Sequence, residues 1–125
     1  MKVYQKLART LDAYNNCVEK GNEEWTDKHM DTINRIVENQ LPSGSGIDSG
    51  CTIEHKRSKH LLIYSSYHVM NENGMYNGWI DFTVKVNPSL MFGFDLLITG
   101  NFGKHQDIKE YLYDLFGVAL GQEID

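Results

Sequence analysis

The stretch GWIDFTVKV at residues 78–86 alternates strictly between two kinds of side chain. Successive side chains of a β-strand point to opposite faces of the sheet, so this pattern predicts a strand with one buried face. Ile80, Phe82, Val84 and Val86 are expected in the core, and Trp79, Asp81, Thr83 and Lys85 on the other face.

Further strands are predicted on both sides of this one. Residues 60–70 are rich in β-forming side chains, and an Asn-Gly turn at 71–74 joins them to it. A turn at 87–89 leads to a strand at 91–99, and a short strand is expected at 51–54. Half-buried strands with short connections indicate an antiparallel sheet. The last strand should place Phe92, Phe94, Leu96 and Ile98 on the core face.

Helical spacing marks both ends of the chain. The fold class is therefore α+β, an antiparallel four-stranded sheet with two N-terminal helices and one C-terminal helix on one face. The second helix should follow Gly21 and Asn22 and end near Gln40. The predicted buried positions are Val3, Leu7, Leu11, Tyr14 and Val18 in the first helix, Trp25, His29, Ile33, Ile36 and Val37 in the second, and Ile108, Leu112, Leu115 and Ala119 in the third, with Tyr111 and Phe116 flanking.

Between the second helix and the first strand lies LPSGSGIDSG at residues 41–50. Its glycines, serines and proline predict an irregular segment. Closely spaced backbone N–H groups and the Ser43 and Ser45 hydroxyls would suit a phosphate, because glycines allow it to approach the backbone. The segment matches neither a P-loop nor a dinucleotide fingerprint, so a plain connector remains the alternative.

Length and charge exclude several classes. A chain of 125 residues allows a single domain over 1–125. Twelve basic against seventeen acidic side chains give a net charge of −5, which argues against a duplex nucleic-acid partner. The N-terminus lacks an apolar signal region and no apolar run could span a membrane, so we expect a cytoplasmic protein. Cys17 and Cys51 have no metal-ligand spacing and are expected as free thiols.

Two groups of residues are candidates for binding. Arg57 lies in the one basic cluster of the chain, at residues 55–60, and its planar guanidinium suits a phosphate. Aromatic and amide side chains crowd residues 64–82, a composition typical of purine sites. The alternatives are a solvated hairpin tip for the first group and ordinary cross-strand pairing for the second. The aromatic-region candidates are Tyr67, His68, Trp79 and Phe82.

An enzyme is not supported by the sequence. His68 with Asp81 is the one pairing that suggests hydrolysis of a nucleotide, and a lone histidine on a strand is more often structural or a ligand contact. No nucleophile arrangement or metal-ligand spacing is present. We therefore expect no catalytic residues, no metal and no cofactor.

Several segments together resemble the type-one anti-Thoeris proteins of phages. They are LPSGSGIDSG at 41–50, SSYHVMNENGMYNGW at 65–79, VNPSL at 86–90, Phe94 with Asp95, ITG at 98–100 and DIKEY at 107–111. That family binds and sequesters a cyclic ADP-ribose signal made by bacterial TIR-domain immune proteins, and some members also hold cyclic trinucleotides at a separate site in a hexamer. The resemblance implies a non-catalytic homo-oligomer, dimer or hexamer, acting in the host cytoplasm, with pockets between protomers.

The resemblance also implies roles for residues. Arginines would contact the pyrophosphate and an aromatic ring the adenine. Where family members tend to carry arginine after the Thr-Gly pair, this chain has NFGK at 101–104, so Lys104 or Lys109 would act as a point charge instead. The resulting hypothesis places Arg57, Ser43 and Ser45 near phosphates, and the aromatic-region candidates near base and ribose. The competing hypotheses are a nucleotide-cleaving enzyme and an inhibitor that docks on a host protein through its acidic helices.

Overall fold

The computed structural model describes residues 1–42, 47–51 and 59–124. Two helices come first, α1 at Val3–Glu19 and α2 at Glu23–Gln40. Asn22 caps α2, because its side-chain oxygen accepts a hydrogen bond from the Trp25 backbone N–H at 3.2 Å. Each helix buries one stripe of apolar residues, as the spacing predicted. Trp25 is an exception: it is 48% exposed and lies under the Lys28 ammonium rather than in the core.

The strands follow in the order in which they pair. They are β1 at Ile47–Cys51, β2 at Leu61–Met70, β3 at Tyr76–Ser89 and β4 at Gly93–Gly100, and every neighbouring pair is antiparallel. The turn between β2 and β3 is the predicted one: the Asn71 carboxamide oxygen accepts from the N–H groups of Asn73 and Met75 at 2.9 Å. Gly74 supplies the positive φ of 74° that the turn requires.

The helices and the antiparallel sheet confirm the predicted α+β class. The first strand differs from the prediction, because β1 covers Ile47–Cys51, where an irregular segment was expected. Its register against β2 runs from Ile47 opposite Tyr67 to Cys51 opposite Ile63, so pairing with a long neighbour outweighs weak local preference. The remainder of the strand predicted at 51–54 lies outside the described residues.

The turn predicted at 87–89 is also wrong. These residues extend β3, and Pro88 pairs with Phe94 of β4. Proline is tolerated there because β2 stops at Leu61, opposite Val86, and no strand among the described residues needs the missing N–H. The connection moves to residues 90–92, which leaves Phe92 90% exposed instead of in the core.

A third helix, α3 at Gln106–Leu120, completes the fold and buries Leu112 and Phe116. The helices cover one face of the sheet, called here the inner face, whose buried residues belong to the same core as those of α1, α2 and α3. The opposite face, called the open face, carries the alternate side chains of each strand. Its members include Tyr64, Trp79, Asp81, Lys85 and Leu97, all exposed. Each helix in the described part of the chain is too short or too polar to cross a lipid bilayer.

Candidate functional site

One end of the inner face gathers aromatic rings and cationic side chains. Tyr67 lies half-buried near the end of β2, opposite Ile80 of β3. Its ring meets the ring of Tyr111 from α3 edge to face, with centroids 6.5 Å apart and planes at 79°. Tyr111 is 48% exposed, so the pair is open to solvent on one side. We call this region the Tyr67 end and define it by Tyr67, Lys104, Lys109 and Tyr111.

Lys109 lies on the other side of α3 from this pair. Its ammonium is 5.9 Å from the centroid of the Phe102 ring, within the range of a cation–π contact. Phe102 follows β4 and packs at 6.3 Å from Phe82. A Cβ at Gly100 would come within 3.0 Å of the Phe102 ring, so glycine at this position permits that packing. The Lys109 ammonium is therefore positioned by the core beneath it.

Phe82 is part of that core. It is 3% exposed, and the rings of Phe102 and Phe116 lie 6.3 Å from it on two sides. The proposed direct contact between Phe82 and a ligand is therefore corrected: Phe82 supports the Tyr67 end from below and has almost no surface to offer.

The start of α3 adds a local positive potential. The first-turn N–H groups of any helix lack partners within it, and the helix dipole is positive at this end. His105, the N-cap residue, makes no side-chain capping bond, and Lys104 is exposed just before it. Asp107 is the acidic residue of the first turn. Lys104 and the α3 N-terminus attract negative charge, and the Asp107 carboxylate already supplies one such charge within the same turn.

The structure separates His68 and Trp79 from Tyr67. His68 pairs directly with Trp79 across β2 and β3, and both side chains belong to the open face. Tyr67 points to the inner face, because adjacent residues of a strand alternate. A single protomer therefore cannot place all three side chains in one cleft.

Asp81, the suggested partner of His68 in a hydrolase, lies on the open face too. Its carboxylate accepts a hydrogen bond of 2.9 Å from the Ser66 hydroxyl. The Ser66 hydroxyl is the donor and the Asp81 carboxylate the acceptor of this bond, which joins β2 to β3 on the open face.

Ser43, Ser45 and Arg57 lie outside the described residues. The neighbours of the first two are described: Leu41 is buried after α2, and Ile47 pairs with Tyr67. The segment that carries Arg57 starts after Cys51, which pairs with Ile63, and ends before Lys59. Its flanks therefore lie toward the opposite end of β2 from Tyr67.

Two surface grooves are lined wholly by described residues, and neither includes a predicted site residue. The first, of about 330 Å³, lies beside the exposed residues 90–92 and Lys59. The second, of about 370 Å³, lies between α1 and α2 and includes Tyr14, Cys17 and Asp27. Burial, and secondarily the Asp27 carboxylate, raise the pKa of Tyr14. Cys17 is a free thiol.

Sequence reasoning missed Tyr111 of the Tyr67 end and the Phe102 ring that lies under Lys109. Tyr111 was assigned only to the flank of a helix, although its spacing from Ile108 already placed it beside the sheet. Phe102 stands in the segment after β4, where alternation gives no information. Within the described residues, no group of three or more histidine, cysteine or acidic side chains is arranged to hold a metal ion.

Comparison with protein families, with curated proteins and with solved structures finds no match for this chain. The site must therefore be interpreted from its own geometry.

Proposed function

We propose that this protein binds and sequesters a cyclic ADP-ribose-type immune signal without degrading it. The observation that supports the proposal best is the Tyr67 end, where α3 carries Tyr111 against Tyr67 on one side and Lys109 over Phe102 on the other, with Lys104 just before its N-terminus. Aromatic faces accept any base by stacking, and ammonium groups with helix N–H groups attract phosphates. The adenine and the pyrophosphate of a cyclic ADP-ribose need this combination.

The spacing of the two halves suits such a ligand. The tyrosine pair includes Tyr67 of β2, and the Phe102 ring under Lys109 packs 6.3 Å from Phe82 of β3, the next strand. Adjacent strands are about 4.8 Å apart, so the two halves are separated by one to two strand spacings, roughly 5–10 Å. An adenine on the tyrosines would leave its pyrophosphate near Lys109 and Lys104. His68 and Trp79 take no part in this arrangement within one protomer.

Charge favours a pocket shared between copies. A pyrophosphate carries two charges, and one Tyr67 end supplies two lysines in a chain of net charge −5. The flank of the Arg57 segment at Cys51 lies opposite Ile63, four residues and about 14 Å along the strand from Tyr67. We therefore propose a homo-oligomer, a dimer or hexamer, in which a second copy contributes Arg57 and the 43–46 segment lies near the phosphates.

Calorimetric titration with cyclic ADP-ribose, its isomers and cyclic trinucleotides tests this proposal. Sequestration requires a Kd in the nanomolar range, about −12 kcal/mol, and one protein site for each molecule removed. Tyr67→Ala and Lys109→Gln should each weaken binding about tenfold or more, since each removes one half of the site.

Lys28→Gln is the matched control, because the Lys28 ammonium also lies over an aromatic ring, that of Trp25 at 4.5 Å. It should bind like the unmodified protein. Absence of saturable heat with every nucleotide, or equal losses for the Lys28 and Lys109 variants, would contradict the site. Conversion of the ligand during titration would favour the enzyme, and co-purification of a host protein without any nucleotide binding would favour the docking inhibitor.

A further inference from the structure

The open face is an exposed surface with large apolar side chains. All three helices pack on the inner face, so nothing in the described part of the chain covers the other side of the sheet. Trp79 is 60% exposed there, Leu97 52% and Tyr64 37%. Most isolated apolar side chains on a surface need no explanation, whereas several on one flat sheet face are typical of an interaction surface.

The charges on the central strand have a particular order. Asp81 and Lys85 both project from β3 on the open face, two residues before and two residues after Thr83. Thr83 pairs with Tyr64 of β2 and with Thr99 of β4, so it marks the middle of the sheet. Consider an axis that passes through Thr83, lies in the plane of the sheet and runs perpendicular to the strands. A rotation of 180° about this axis exchanges the positions of the Asp81 and Lys85 charges.

We propose that the open face binds a second copy of this chain face to face, with the two β3 strands antiparallel and Lys85 opposite Asp81 of the partner subunit. A two-fold axis generates the same pair twice, as isologous dimers require. The other two-fold arrangement, with the axis along the strands, places Lys85 against Lys85 of the partner subunit and is disfavoured by charge. The antiparallel arrangement also brings Tyr64 close to its own symmetry mate.

The area of the face is close to what a specific but weak dimer needs. Strands about 4.8 Å apart, with five residues in β1 and about eight in each of the other three at about 3.4 Å, give a flat area of roughly 470 Å² per copy. Two copies cover roughly 900 Å² before side-chain relief is added, near the threshold of about 1,000 Å² for a specific interface. Stacked sheets of this kind pack about 10 Å apart, and Trp79 and Leu97 would fill the gap.

Charge reversal combined with sedimentation equilibrium tests the proposal, without any nucleotide present. Lys85→Asp and Asp81→Lys should each raise the dimer dissociation constant about tenfold or more, because each replaces two attractions with two repulsions. The double variant, Lys85→Asp with Asp81→Lys, should restore dimerisation. Lys28→Asp changes the net charge equally on α2 and should leave the dimer unchanged. Melting temperatures measured on all variants establish that each one is folded.

Trp79 offers a second readout in a Trp25→Phe background, where it is the sole tryptophan. Its emission should shift to shorter wavelength as protein concentration passes through the dissociation constant. A monomer at all concentrations, a dimer that ignores both reversals, or a double variant that fails to recover would each overturn the proposed interface. The interface and ligand binding fail separately: a dimer that binds no nucleotide contradicts the proposed function alone, whereas a monomer that binds one contradicts the interface and the shared pocket but not ligand binding.

Discussion

The inner and open faces of the sheet are built from the same strands, one residue apart along the chain. Val84 is fully buried under the helices, while its neighbours Thr83 and Lys85 face away from them. The inner face is almost wholly apolar, whereas the open face mixes Trp79, Leu97 and charged groups. Stability therefore depends on one face, and the other is available for association.

Exchanging an apolar for a polar side chain on the inner face, and the reverse on the open face, should show the largest difference in the free energy of unfolding. Val84→Thr places a hydroxyl without a partner in the core and should lower the free energy of unfolding by about 1–3 kcal/mol. Thr83→Val makes the reverse change on the open face and should alter the free energy of unfolding by less than about 0.5 kcal/mol. Urea denaturation of both variants measures the difference. Equal effects would show that the two faces are not distinguished as described.

A substitution at the contact between α3 and the edge strand β4 should have the next largest effect on the free energy of unfolding. The Tyr113 hydroxyl of α3 accepts a hydrogen bond of 2.9 Å from the Ile98 N–H on the edge strand β4. Tyr113→Phe removes that acceptor and should cost about 1 kcal/mol, because a part-buried N–H loses its partner. Tyr111→Phe keeps the ring of an exposed tyrosine and is the control, with a change below about 0.5 kcal/mol. If the two variants unfold at the same urea concentration, the Tyr113 hydroxyl does not hold α3 to β4.

The smallest effect concerns the helix layer over the inner face. Burial raises the pKa of Tyr14 above its ordinary 10.0, so the folded state favours the neutral phenol. The stability that the neutral Tyr14 phenol gives the folded state is complete at pH below the ordinary pKa. It is lost as the pH rises through the raised pKa of the folded protein. The unfolding free energy of the unmodified protein should fall relative to Tyr14→Phe only at alkaline pH. If the difference in unfolding free energy between the unmodified protein and Tyr14→Phe stayed constant from neutral to strongly alkaline pH, the raised pKa of Tyr14 would be contradicted.

Alternation and helical spacing were enough to predict the α+β class, the three helices, the Asn71 turn and the inner-face residues of β3. They failed where the decisive interactions are not local. Residues 47–50 form a strand because β2 offers them hydrogen-bond partners, and Pro88 stays in β3 because its neighbour β2 ends at Leu61, opposite Val86. Because the turn lies at residues 90–92 instead of 87–89, Phe92 is exposed rather than in the core.

The candidate site was predicted less completely than the fold. Tyr67 and Lys109 do lie at one end of the molecule, but Phe82 is core, and the pairing of β2 with β3 places His68 and Trp79 on the opposite face from Tyr67. Which face a side chain occupies follows from alternation, so this separation was available from the sequence. The approach of Tyr111 and Phe102 depends on how α3 packs, which spacing alone does not determine.

Sequestration is tested most directly by mass spectrometry of small molecules released by heat from protein purified out of cells with an active TIR signalling enzyme. An intact cyclic ADP-ribose-type molecule is expected, in an amount close to one per site, and far less from the Tyr67→Ala variant. Release of a linear product, or of no nucleotide from protein that is folded and exposed to the signal, would contradict sequestration.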